Sequence, residues 1–218
     1  MAFTLMIKTF SVMSIREEKA FEGTSLYSDV CTINSYYSSI ENDFDAFSDT
    51  FNIHCPAVCG RCCEHFIPDI TYLEALALAW ELGIRQDRDL DFLIDWHRNH
   101  DYCPLYNAVT HRCTAYAVRP VICRVFCSSA SRTKEGLSFR GCRLSVQPEG
   151  MPASLSDKAL SCAGFHVPVM SDYGEKIDSM QASSERILLD DAVLSAWSKI
   201  RLIQSISLTG DDESGRAG

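Results

Sequence analysis

Nowhere does the sequence contain the roughly 18 consecutive apolar residues needed to cross a bilayer, so no membrane span is expected. Basic residues are in deficit. Twenty Lys and Arg against 29 Asp and Glu leave a net charge of -9, which argues against general binding to nucleic acid or to an anionic membrane surface. The opening stretch MAFTLMIKTFSVMSI lacks the positive leader, continuous apolar core and small-residue cleavage site of a secretory signal. Together these absences predict a cytoplasmic protein. Phe3, Leu5 and Ile7 alternate as in a strand. Also missing are a Walker phosphate loop, a Rossmann glycine pattern and a nucleophile-elbow serine, which sets aside the enzyme classes built on them.

What the chain does have is cysteine, eleven in 218 residues. A chain of this length with 46% hydrophobic residues can bury a core without disulfide staples. In a reducing compartment such a count points to metal or redox chemistry, and an odd number leaves at least one thiol outside any disulfide scheme. The decapeptide HCPAVCGRCC, residues 54–63, holds Cys55, Cys59, Cys62 and Cys63. Thiolates are soft ligands for zinc and iron, and gaps of two to four residues let successive sulfurs face one ion. Gly60 permits a tight bend, and Arg61 can offset thiolate charge. A second group follows: Cys103 and Cys113 flank a hairpin, and Cys123 and Cys127, four apart, share a helix face. Successive side chains diverge, so the Cys62–Cys63 doublet suggests two metals, a cluster, or one ligand and one spare thiol.

Cys142 and Cys162 have no close cysteine partner; Cys142 is included among the candidate ligands and Cys162 is not. Cys31 reads as a buried thiol packing like a small hydrophobe. Arg119, Arg124 and Arg143 are candidates for charge compensation. His54, Glu64 and His65 beside the first group are either neighbouring acid–base groups or surface residues, the latter being the commoner case. His97 and His100 read as solvated groups at a helix end rather than as ligands.

The sequence predicts a mainly α fold: a small cysteine-rich metal-binding domain with minor β-hairpin elements and a C-terminal helix. A leader and helix occupy 1–51, the aromatic stripe from Asn34 through Tyr37, Ile40, Phe44, Phe47 and Phe51 marking the helix. The cysteine-cluster domain spans 52–145. Within it, PDITYLEALALAWELG reads as a helix capped by Asp69 or Thr71, with Glu74 in capping-box position and Gly83 as a stop. DRDLDFLIDWHRNH predicts a second helix with Leu90, Leu93, Ile94 and His97 on one side. NAVTHR suits a hairpin turn, Pro120 opens a short helix, and GLSFRGCRL suggests a strand or loop. A linker and C-terminal helix fill 146–208, with Ile187, Val193, Leu194, Trp197, Ile200 and Ile203 on one face, before a polar tail at 209–218.

Taken together, CGRCC, the helix after it and CTAYAVRPVICRVFC resemble the YkgJ-like cysteine-cluster family, also described as the CxxCxxCC zinc- or iron-chelating domain, over about residues 52–145. The resemblance carries Cys59, Cys62, Cys63, Cys113 and Cys123 onto the family's cysteine positions, with Cys103 and Cys127 close behind. Cys55 departs, three residues rather than two separating it from the Cys-Gly pair. The resemblance implies zinc or iron as cofactor, an iron–sulfur cluster included, and names no protein partner. Some relatives are described as flagellin lysine N-methylases, which makes methyl transfer the second reading; a thiol redox protein cycling Cys62–Cys63 or Cys123–Cys127 is the third. The spacing CPAVCGRC also occurs in radical S-adenosylmethionine enzymes, but Arg61 replaces their usual aromatic, and no strand–helix repetition for their barrel is present.

Overall fold

A computed structural model describes residues 19, 21–51, 59–126, 129–134, 136–139, 142, 154–155 and 167–210. The strand expected at Phe3–Ile7, and His54, Cys55, Cys127, Arg143, Cys162 and tail residues 211–218, lie outside the described residues.

Helix α1, Ser25–Phe51, begins nine residues before the aromatic stripe suggests. Thr24 explains the earlier start, since its Oγ1 accepts the Tyr27 amide at 3.2 Å and satisfies one of the helix's free donors. Tyr37, Ile40, Phe44 and Phe47 are buried, as their spacing predicts, and Leu26, Val30 and Ile33 extend the stripe. Cys31 faces solvent on this helix, contrary to its reading as a buried thiol.

Helix α2, Tyr72–Ala79, forms the centre of the molecule. Leu73 through Ala79 are all buried, so this helix is covered on every side. The capping box is present: Glu74 Oε2 accepts both the Thr71 amide and the Thr71 hydroxyl at 2.8 Å. Gly83 does not stop the helix. The chain continues through a wider π-helical turn, Trp80–Arg85, and the missing side chain at Gly83 admits the Trp197 ring, which a Cβ would meet at 2.3 Å. Trp80 is buried edge-on to Phe21, with ring centroids 4.9 Å apart.

The helix expected over 87–100 is broken. A 3-10 turn, Asp91–Leu93, precedes a short helix α3, Trp96–Asn99, and between them Asp95 takes a left-handed conformation at φ 53°. Leu90 and Leu93 are buried as expected, whereas Ile94 is 57% exposed. Strand β1, Asp69–Ile70, waits for a distant partner. The predicted hairpin pairs β2, Tyr106–Asn107, with β3, Arg112–Cys113. Pro120 then caps helix α4, Val121–Val125. A three-stranded antiparallel sheet follows, β4 (Ala130–Thr133), β5 (Gly136–Phe139) and β6 (Ser154–Leu155).

Helix α5, Met170–Asp178, carries no sequence expectation here; it buries Tyr173 and Ile177 against α1 and α4. Ile187 leaves the C-terminal helical face and sits in strand β7, Ile187–Leu188, which pairs with β1 and leaves Ile187 42% exposed. Helix α6, Leu189–Gly210, then packs Val193, Ala196 and Ile200 into the core around α2. Among the described residues no helix is long and apolar enough to cross a membrane.

Glu74 joins this core to what lies beyond it, because its other oxygen, Oε1, accepts the Val121 amide at 2.8 Å. One buried carboxylate therefore ties the starts of α2 and α4. A glutamine has a single acceptor oxygen and would turn its NH2 toward one of these donors. Glu74→Gln is accordingly expected to lower stability by about 1–3 kcal/mol in urea denaturation, despite its equal size.

Candidate metal centre

The two sulfur groups, separated by some forty residues, are brought together by backbone contacts. Cys59 forms an isolated antiparallel bridge with Arg112, and the Gly60 amide donates to the His111 carbonyl at 2.9 Å. Gly60 has an ordinary φ of -117°, so a special turn is not what requires glycine here. The requirement is close approach: a Cβ would lie 2.8 Å from the backbone of Arg112 and Cys113. A 3-10 turn, Arg61–His65, carries Cys62 and Cys63, and the Cys63 carbonyl accepts the Cys103 amide at 3.0 Å. The same hairpin thus delivers Cys113. Helix α4, fixed at its start by Glu74, delivers Cys123.

Cys59, Cys62, Cys63, Cys103, Cys113, Cys123 and Cys142 all line one cavity of about 60 Å³. Leu105, Leu189 and Phe126 supply apolar walls, and Arg61, Tyr116 and Arg119 complete the side with polar character. Cys63 and Cys103 are buried, Cys59, Cys113, Cys123 and Cys142 are half-buried, and Cys62 is exposed. The doublet does not diverge as alternating side chains would. In the tight turn the Cys62 and Cys63 sulfurs lie 4.0 Å apart on the same cavity wall. Seven thiols with nearby guanidinium groups and apolar walls suit zinc or iron well and suit a hard, oxygen-seeking cation poorly.

At three of these thiols, Cys63, Cys113 and Cys123, the surroundings favour the protonated form. A hydrogen bond with Cys103, and then burial, push the Cys63 thiol up. Burial raises Cys113, against which the Ala115 backbone and the Arg119 guanidinium pull down. Burial also raises Cys123 strongly, and the charges of Cys63, Cys62 and Cys113 add to it. Metal binding at such thiols must release protons.

Of the expected compensating arginines, Arg119 lies on the cavity, its guanidinium 3.9 Å from the Tyr116 ring centre. Arg124 turns away from the sulfurs. It is buried, donates to the Arg119 and Ala117 carbonyls, pairs with Glu41 at 2.5 Å and stacks over Tyr37. Glu64 is more than a surface group: its Oε1 accepts from Arg61 at 3.1 Å and from the Tyr106 hydroxyl at 2.5 Å, with His111 Nδ1 3.3 Å away. The Tyr106 bond lowers the Glu64 carboxyl, while partial burial and Glu64 push Tyr106 up to about 12. Nothing in the sequence spacing identifies Tyr106 and His111 as its partners. His65 is exposed beside Asp101, as a surface residue would be. His97 is not a solvated helix end, since its ring bonds Asp190 at 2.8 Å, and His100 stacks on Trp96 with ring centres 3.9 Å apart.

If the close backbone approach at Gly60 aligns the two sulfur groups, Gly60→Ala is expected to reduce metal bound per chain at least several-fold. Cys31→Ser, on an exposed thiol away from the cavity, is expected to leave it unchanged. Elemental analysis of the two purified variants provides the check.

No curated protein matches the chain, and no solved structure does. The match found is to a family model, CxxCxxCC, described as "Putative zinc- or iron-chelating domain", over residues 54–143. That span contains the 3-10 turn, α2, the β2–β3 hairpin and α4, the elements that bring the cavity's cysteines together. Residues 54–143 of this chain thus match the model of a domain family described as zinc- or iron-chelating.

Proposed function

We propose that the protein chelates iron as a polynuclear cysteine-ligated centre, an iron–sulfur cluster, using ligands drawn from Cys59, Cys62, Cys63, Cys103, Cys113, Cys123 and Cys142. Cys55 and Cys127, adjacent in sequence to these groups, are further candidates. The observation that carries the reading is the convergence of seven cysteines on one cavity. One tetrahedral zinc ion takes four ligands, with sulfurs about 3.8 Å apart when each Zn–S bond is about 2.3 Å. Among the described residues, the group of three candidate ligand atoms gathered within 4.8 Å of one another is His97, Asp190 and Asp191, and it contains no cysteine. Seven cysteines on one cavity exceed the four ligands of a single tetrahedral ion, which favours several metal atoms over one. Arg61 and Arg119 on the wall offset part of the charge of a polythiolate.

The exposed Cys62 favours a second reading, in which the centre keeps one side open to a substrate and supports methyl transfer, as in the flagellin lysine N-methylase reading of the sequence. Both readings need the same sulfurs.

Protein purified without oxygen is expected to be brown, with broad visible absorption and stoichiometric iron and acid-labile sulfide. Colourless protein containing only zinc would replace the cluster with a structural zinc site, and protein without either metal would end the chelation reading. Cys59→Ser and Cys123→Ser are each expected to lose most of the metal and to unfold at lower urea, because bound metal contributes directly to folding.

A further inference from the structure

Across the molecule's surface from α3, two acidic residues open α6. Asp190 and Asp191 stand in its first turn, where carboxylates ordinarily offset the helix dipole. That role accounts for their position but not for the contacts they make. Asp190 is completely buried, and its Oδ2 accepts both the His97 amide and the His97 ring Nδ1 at 2.8 Å. Its second oxygen, Oδ1, is buried without a hydrogen-bond partner. A carboxylate taken wholly out of water with one oxygen unsatisfied is costly unless a cation offsets its charge. Asp191 brings Oδ2 to 3.8 Å from the same His97 nitrogen. Among the described residues no lysine or arginine pairs with either carboxylate.

The geometry points to a second metal site, distinct from the cysteine centre, in which His97, Asp190 and Asp191 hold a divalent ion of the zinc type through one nitrogen and two carboxylates. Ligand atoms about 2.0–2.1 Å from a tetrahedral ion lie about 3.3 Å apart, and the observed separations of 2.8 and 3.8 Å bracket that value. The ion takes the place of the proton that His97 Nδ1 shares with Asp190; the neutral ring keeps one proton, on Nε2, and a second, if the ring was charged, leaves to solvent. Asp190 Oδ2 keeps the His97 amide as a fixed hydrogen bond. His97 is 21% exposed and Asp191 55%, which leaves one side of the ion to water. Such an ion would clamp α3 to the start of α6.

Cobalt(II) separates this site from the thiolates, because cysteine-bound cobalt shows sulfur-to-metal charge transfer in the near ultraviolet and a nitrogen–oxygen site does not. The full chain with its cysteine centre already loaded, its Asp191→Asn variant and its His97→Gln variant are each dialysed against micromolar Co2+, with circular dichroism confirming the fold. The native chain is expected to hold one equivalent more than either variant, affinity falling at least tenfold in each, and the additional ion to bring no sulfur band. Equal uptake by all three proteins, or an additional ion that carries the sulfur band, overturns the site.

Discussion

Two backbone hydrogen bonds, Gly60 to His111 and Cys103 to Cys63, are the constraint on which the cysteine centre depends. They join segments far apart in sequence, and closing such loops costs conformational entropy that the bonds alone do not offset. The offset comes from α2, buried on all sides, which holds the chain leaving the first sulfur group at a fixed distance from the chain entering the second. Glu74 adds the third attachment by fixing the start of α4 to that same helix. The thiols are thus positioned by peptide geometry and packing, so a metal meets ligands whose arrangement is already largely set.

Charge is divided in a similar way. Arg119 remains at the cavity and holds the Cys113 thiol lower than burial alone would, whereas Arg124 is buried against Glu41 and the Tyr37 ring. Both arginines, five residues apart, approach Glu41 of α1, Arg119 at 3.8 Å and Arg124 at 2.5 Å, and of the two Arg119 also lines the sulfur cavity. Glu64 adds a further link, its bonds to Arg61 and Tyr106 connecting the 3-10 turn to the hairpin. The domain match covers the 3-10 turn, the hairpin and α4, while α1, α5 and α6 lie outside it.

Local features were legible in the sequence where their cause is local. The Thr71–Glu74 capping box is set by a three-residue spacing, the hairpin by its turn, and the α1 stripe by helical periodicity. Features decided by distant partners were not. Gly83 reads as a helix stop until Trp197 is seen filling the space beside it, and Ile187 reads as helical until Ile70 pairs with it. The break at Asp95 rests on one left-handed residue within a stretch of otherwise helical pattern. Cys31 lies outside the closely spaced groups, and only the tertiary packing decides which face of α1 is wet. The sequence leads to a meeting of two cysteine groups with Cys142 as a further candidate, and the structure puts Cys142 on the same wall although no cysteine lies near it in the chain.

The jacket around α2 has a consequence for transplantation. Phe21, Leu26 and Val30 cover it on one flank, and Leu189, Val193, Ala196 and Ile200 on another, and all seven come from outside residues 54–143. Cut free of them, the sulfur-bearing segment would present a bare greasy rod to water. Any host into which it is grafted must supply an equivalent coat, from its own chain or from a neighbour, before the thiols could find one another.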